Sequence, residues 1–337
     1  MVFKRLLGSL GVGGPTVDTV LEPGAVLPGG SLHGQVHLKG GSADFEIEHI
    51  TLELVARAEV EHEDGESDGA VVFDRFLVGG GFRLAAGEER TIPFAVTLPW
   101  ETPITELYGQ GLGIVLGVRT ELSVAGGKDK GDLDALAVRP LPVQETILET
   151  LEQLGFGFKS ADLEYGHIGG TAQQLPFYQE IELTPPSPYA HTLNEIELTF
   201  LPYPGGMEVV LEADKRGGLF SDGHDTVTRF TVGHDGIEHQ DWNTLVDGWM
   251  QELVEHRASH ASHGSYGHDD PRASGHGHGD HHHGHDDHRR SGPGMGTVVA
   301  AGAAGLAVGV VGGVVAAEVI DEVGDFFEGD DEEEDEG

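Results

Sequence analysis

Apolar and polar residues alternate with a period of two through most of the first 140 residues. Between Leu112 and Val124 the even positions Leu112, Ile114, Leu116, Val118, Leu122 and Val124 are apolar, Thr120 being the break, while Arg119, Glu121 and Ser123 are polar. Successive side chains of a strand point to opposite faces, so this pattern predicts a half-buried antiparallel strand. A second runs through Ile50, Leu52, Leu54, Ala56, Ala58 and Val60, opposed by Glu53, Arg57 and Glu59, and a third through Ile92, Phe94, Val96 and Leu98. Shorter candidates are Thr16–Glu22, Ser31–Leu38, Val71–Val78 and Asp134–Arg139. Turn formers separate them: Pro28-Gly29-Gly30, Gly40-Gly41, Asp64-Gly65, Gly79-Gly80-Gly81, Ala86-Gly87 and Gly126-Gly127. Short strands bounded in this way predict a β-sandwich over residues 1–139, in preference to a barrel or a βαβ array.

After Pro140 and Pro142 the period lengthens. Val143, Ile147, Leu151 and Leu154, with Leu148 beside them, form one apolar stripe opposite Gln144, Glu145, Glu149, Glu152 and Gln153, which predicts a short amphipathic linker helix. Alternation resumes in Tyr178–Leu183 and Leu193–Phe200, which flank a loop with Pro185, Pro186 and Pro188, and again in Met207, Val209, Leu211 and Ala213. These strands predict a second sandwich. It closes on a helix, because Asp241 is placed to N-cap a run in which Trp242, Leu245, Val246, Trp249 and Leu253 share a face. Linker helix and second sandwich together occupy 140–256, so the expected class is all-β with two sandwich domains.

Beyond His256 the patterning stops. Eleven of the 20 histidines lie between His256 and His288, among Gly, Ser and Asp, so residues 257–292 lack the apolar surface to offset chain entropy and read as a disordered tether. Residues 293–320 are rich in Gly, Ala and Val. Residues 321–337 form an acidic tail with 11 Asp+Glu. All three are low-complexity assignments.

Several stretches carry a family likeness. FKRLLGSLGVGGPTVDTVL at the start, PGGSLHGQVHLKGG, IEHITLELVARAE and PFAVTLPWETPIT, then KSADLEY and LPFYQEIELTP, resemble the sporulation-control protein family (stage zero sporulation protein M), an arrestin-like family. The likeness spans roughly residues 1–256. Its most specific parts are the Pro-Gly-Gly that opens the second strand and the strand ending in Leu98-Pro99-Trp100 before Thr102-Pro103-Ile104-Thr105. The resemblance implies two arrestin-like β-sandwiches and a regulatory, non-enzymatic role in sporulation or stress-linked development, exercised on a protein partner by edge-strand or groove recognition. It does not reach the three C-terminal segments.

Composition narrows the chemistry further. With 19 Lys+Arg against 58 Asp+Glu the formal charge is −39, so phosphate-directed binding of nucleic acid is opposed by the protein's own field. The absence of cysteine excludes disulfides, thiolate metal sites and cysteine nucleophiles. Glycines and Pro15 interrupt the apolar patch behind Lys4 and Arg5, so no signal peptide is expected and the folded part is read as cytoplasmic. Gly8, Gly11 and Gly13 lack the preceding strand and the Lys-Ser/Thr of a phosphate loop. The scattered His167, His191, His224, His234 and His239 read as surface residues, and the pairs Glu46/Glu48 and Glu195/Glu197 as solvated strand faces. No catalytic residue and no required cofactor is assigned.

Two tail features carry candidate chemistry. His276, His278, His281, His282, His283, His285 and His288 place seven imidazoles within thirteen residues, a set suited to loosely bound Zn or Ni. Two readings stand for them: a metal-binding or metal-buffering tract, and a soluble linker. Gly305, Gly309, Gly313 and Ala317 repeat every four residues, which on a helix lines one face with small residues fit for self-association. The uncharged run 296–317 is long enough to contact or cross a membrane, with Arg289-Arg290 holding the folded domains on the cytoplasmic side. A flexible low-complexity tail is the other reading.

Overall fold

The computed structural model describes residues 13–62, 65–127, 129–213, 227–263 and 313–314. The chain folds as strands β1 (Thr16–Leu21), β2 (Ser31–Lys39), β3 (Phe45–His62), β4 (Gly65–Leu84) and β5 (Glu89–Thr97). Then come β6 (Glu106–Leu107), β7 (Gln110–Gly111), β8 (Leu116–Val124) and β9 (Lys130–Ala135). Helix α1 (Pro142–Gln153) leads into β10 (Gly157–Tyr165), β11 (Phe177–Thr184), β12 (Ile196–Tyr203), β13 (Gly206–Ala213) and β14 (Thr228–Val232). A 3-10 turn (Ile237–His239) precedes α2 (Trp242–His263), and Gly313–Val314 makes a two-residue β15. The class is all-β, as the alternation predicts.

Two sheets form the first module. The smaller is β1-β2-β5; the larger has β3 at its centre, with β4 on one edge and β8, followed by β9, on the other. Their apolar faces meet through Leu32, Val36 and Leu38 from β2 and Ile47, Ile50, Leu52, Leu54, Val118 and Leu122 from β3 and β8, all buried. The hydrophobic effect on these alternating positions drives the layering.

The second module continues the larger sheet. Past Ala56 the edge of β3 that β8 had occupied is taken by β10, which pairs in parallel at Glu164↔Glu59. Strands β10 to β14 then follow antiparallel in chain order, giving a ten-stranded sheet common to both modules. Among the described residues the apolar face of this half is covered by α1 and α2: Val143, Ile147 and Leu151 from α1, Val246, Trp249, Met250 and Leu253 from α2. The Trp249 ring stacks on Phe230 of β14 at 4.8 Å, and Tyr189 Oη donates to Asp247 Oδ1 at 2.6 Å. Asp241 caps α2 as its position predicts, accepting from the Thr244 N–H at 3.1 Å.

The cores of the two modules are continuous. Between Leu54 and Val55 the β3–β4 register slips, so that Asp74 and Val72 find partners and Phe73 has none opposite. This β-bulge leaves Phe73 buried and its ring edge-on to Phe177 of β11, with centroids 5.4 Å apart.

Three strands are locked in register by one carboxylate. Glu53 of β3 lies opposite Arg75 of β4 and Arg119 of β8 and is 2% exposed. Arg75 Nε donates to Glu53 Oε1 at 2.6 Å, and Arg119 Nε to Oε2 at 2.7 Å. A buried charge of this kind is tolerated only because both its oxygens are paired.

Predicted and observed elements differ in several places, four of them instructive. The strand expected from Leu112 starts at Leu116, because Leu112 bonds back to Thr105 O at 2.9 Å outside the sheet. The strand expected at Asp134–Arg139 is Lys130–Ala135. Strands β10 and β14 are additional, being short of large apolar residues. Helix α2 runs to His263, seven residues into the segment read as a tether, because a helix already fixed by Val246 to Leu253 extends at little cost.

Two stability predictions follow from this frame. Glu53→Gln leaves the largely buried Arg119 guanidinium uncompensated and is expected to cost about 3 kcal/mol, whereas Arg75→Ala, which strips one oxygen of the buried Glu53 of its partner while Arg119 stays bound, should cost less, about 1–2 kcal/mol; urea unfolding measures both. The second concerns Asp134 on β9, which burial, reinforced by Asp132 and Asp18, pushes up to about 7. A raised carboxyl binds its proton better folded than unfolded, so it favours folding at low pH and opposes it as pH rises through the window from 3.8 to about 7. The stability advantage of Asp134→Asn over wild type should therefore grow by about 1–2 kcal/mol between pH 5 and 7 and level off above.

Candidate functional site

The seam between the modules is built by the stretch Leu98–Thr105. Gly29, at φ +68°, turns the chain beneath Trp100, and a Cβ there would meet the indole at 2.6 Å. Leu98 N–H donates to Gly30 O at 2.9 Å and Gly29 N–H to Pro99 O at 3.1 Å, so two segments far apart in sequence, Pro-Gly-Gly and Leu-Pro-Trp, make one platform. From there the chain crosses to the second module. The Glu101 carboxylate accepts backbone N–H bonds from Gln174 at 2.7 Å and Leu175 at 2.8 Å, and burial holds its carboxyl above the ordinary range against that stabilisation. The Gln179 side chain brackets Ile104, accepting from its N–H at 3.0 Å and donating to its carbonyl at 2.9 Å.

The loop that meets Glu101 is itself pinned by a buried amide. Gln173 Nε2 donates to the carbonyls of Gly166 and Leu175, both at 2.8 Å, while its Oε1 accepts from Ile168 N–H at 2.9 Å.

On this seam lies a cavity of about 430 Å³, lined by Pro99, Trp100, Leu175, Leu201, Pro202 and Tyr203 among others, with Glu101 and Glu208 also in its wall. His234 stacks on Trp100 at 5.2 Å, held there by a 2.7 Å contact between its Nε2 and Tyr203 O. Tyr203 is 42% exposed. The recess joins aromatic and proline surface to a few polar groups. A second recess, of about 580 Å³, separates Arg75–Val78 of β4 from Pro93–Thr97 of β5, where Leu77 stands 74% exposed.

The outer face of the second module's sheet is acidic. Asp162 opposes Glu180, Glu164 opposes Tyr178, and Glu182, Glu197 and Glu212 oppose one another along a row of the same face. Glu180 and Glu212 are buried there, and burial together with the charges of Glu197, Asp162, Glu164 and Glu212 pushes the Glu180 carboxyl up to about 10.

The sequence-derived candidates fare differently. His276, His278, His281, His282, His283, His285, His288, Gly305, Gly309 and Ala317 lie outside the described residues. Gly313 is described, in β15, pairing antiparallel with Val72 of β4; its backbone there is extended and not helical as the glycine spacing suggested, because it satisfies an open strand edge. His234, read as a surface residue, is half-buried against Trp100. Glu46 and Glu48 face solvent as read, but Glu197 belongs to the half-buried acidic face. Trp100 was marked in the sequence only as part of the family-specific Leu98-Pro99-Trp100, and nothing there singled out Tyr203. Among the described residues no helix is long and apolar enough to cross a membrane.

The fold is a two-module all-β chain with an aromatic pocket on its seam. Residues 3–217 match the family model described as SpoOM protein. The chain is 40% identical over 215 residues to the sporulation-control protein spo0M of Bacillus subtilis (strain 168), covering 64% of this chain and 81% of the relative. The crystal structure of Spo0M, sporulation control protein, from Bacillus subtilis superposes with a TM-score of 0.64 at 33% identity, covering 73% of this chain and all of that one. The chain belongs to the SpoOM family of sporulation-control proteins.

The bracket around Ile104 gives a direct test of the seam. Gln179→Ala removes both of its hydrogen bonds and is expected to cost about 2 kcal/mol in chemical denaturation, with the β-rich circular dichroism spectrum retained.

Proposed function

We propose that this protein is a non-enzymatic, arrestin-like scaffold in the control of sporulation or stress-linked development, which recruits a protein partner through the seam pocket. The single observation that carries the reading is the pocket itself. Trp100, Tyr203 and three prolines, Pro99, Pro202 and Pro204, surround a cavity of about 430 Å³ that both modules share. A partner side chain or turn seated there engages both modules at once, so its binding is coupled to their relative placement. Family membership supports the regulatory role.

The test is a comparative capture with the full chain as bait. Trp100→Ala and Tyr203→Ala should each reduce recovery of the same captured protein by tenfold or more, a loss of about 1.4 kcal/mol or greater for an aromatic anchor. Leu77→Ser, in the β4–β5 recess, should leave recovery unchanged. Loss with Leu77→Ser and retention with Trp100→Ala would move the binding site to the sheet edge and overturn the pocket assignment.

A further inference from the structure

We infer that the outer edge of β4 is a strand-addition site, and that the chain's own C-terminal segment, through Gly313–Val314, is its resident strand. The inference is independent of the partner-recruiting reading, because no residue of this edge lines the seam pocket. Strand β4 gives one edge to β3 along its whole length; among the described residues, its other edge is paired only with β15. That pairing is antiparallel, with Gly313 opposite Val72 and Val314 opposite Val71. It falls inside the uncharged window Gly69-Ala70-Val71-Val72-Phe73, which Asp68 and Asp74 bound. Such an edge has no lysine, proline or charge within it to repel a neighbouring strand, so its free N–H and C=O groups invite one.

Burial along β4 supports a covered edge. Gly69 through Phe73 are buried without a break, whereas beyond Asp74 the same strand shows the pattern of an open edge, with Arg75 and Leu77 exposed. Val71 and Phe73 belong to the common core; Ala70 and Val72 lie outside it and are still only 5% and 3% exposed. The sequence around β15 suits the place, since Val310, Val311, Val314 and Val315 are β-branched and no charge occurs from Ser291 to Ala317. Because the segment is tethered to the same chain, it meets the edge at an effective concentration on the order of 1 mM, and a strand from another protein must displace it to bind. The β15 contact is thus an intramolecular guard. Gly313 cannot serve a helical packing face while it is paired here, so edge cover and self-association through a glycine-lined helix exclude one another.

The absence of cysteine gives a direct test in the full chain. With Val72→Cys and Gly313→Cys introduced together, mild oxidation should close an intramolecular disulfide at least about tenfold faster than in the off-register pair Val72→Cys and Gly305→Cys, because directly opposed strand residues lie within disulfide reach. Hydrogen exchange supplies a readout that leaves Val72 unaltered. Gly313→Pro and Val314→Pro together remove both possible donors of β15, and should speed exchange of the β4 amides within 69–73 that face it about tenfold or more, with β3 and β8 still protected. A labelled synthetic peptide of residues 308–319 should bind that proline variant about tenfold more tightly than the wild type, whose edge is already filled. Equal disulfide rates in the two pairs, disulfides formed only between chains, β4 exchange unchanged by the prolines, or equal peptide binding would each overturn the assignment.

Discussion

The double pairing of β3 is the constraint on which the molecule rests. A strand of 18 residues, it carries β4 along its whole length on one edge and divides the other between β8 and β10. Its central residues Leu52, Leu54, Val55 and Ala56 are fully buried, so a slip of one residue would turn core positions outward. Glu53, held between Arg75 and Arg119, fixes that register electrostatically. Because β10 begins its pairing where β8 leaves off, the position of the second module follows from the register of the first.

Communication between the modules follows from this shared strand. The bulge at Phe73 sends a ring from β4 into the packing of β11, and the Gln179 bracket and the Glu101 clamp tie the loop after Trp100 to the same second-module segment. The pocket therefore has walls from both modules and a floor set by hydrogen bonds that cross between them.

The charge of −39 takes on a different meaning once the sheet faces are known. Among the described residues, acidic side chains such as Glu46, Glu48 and Glu89 face solvent. On the second module's sheet face Glu180 and Glu212 are set apart by being buried, and burial with the neighbouring carboxylates raises the Glu180 carboxyl to about 10.

The sequence by itself determined the elements whose signal is local: the alternating strands through Ser31–Leu38, Ile50–Val60 and Ile92–Leu98, the amphipathic linker helix, and the Asp241 cap with its Trp242-to-Leu253 stripe. Each obeys a period of two or 3.6 residues that sorts apolar from polar side chains before any tertiary contact forms. It also carried family-specific stretches at Pro-Gly-Gly and Leu-Pro-Trp, without revealing that Gly29 lies under Trp100. Tertiary structure alone decided that the two modules share one sheet, that Phe73 bulges toward Phe177, that His234 stacks on Trp100, and that Asp162, Glu164 and Glu180 converge. The physical reason is the same in each case. Strand pairing between segments distant in the chain selects which residues become neighbours, and that choice depends on register and edge availability, quantities that no local pattern of hydrophobicity encodes.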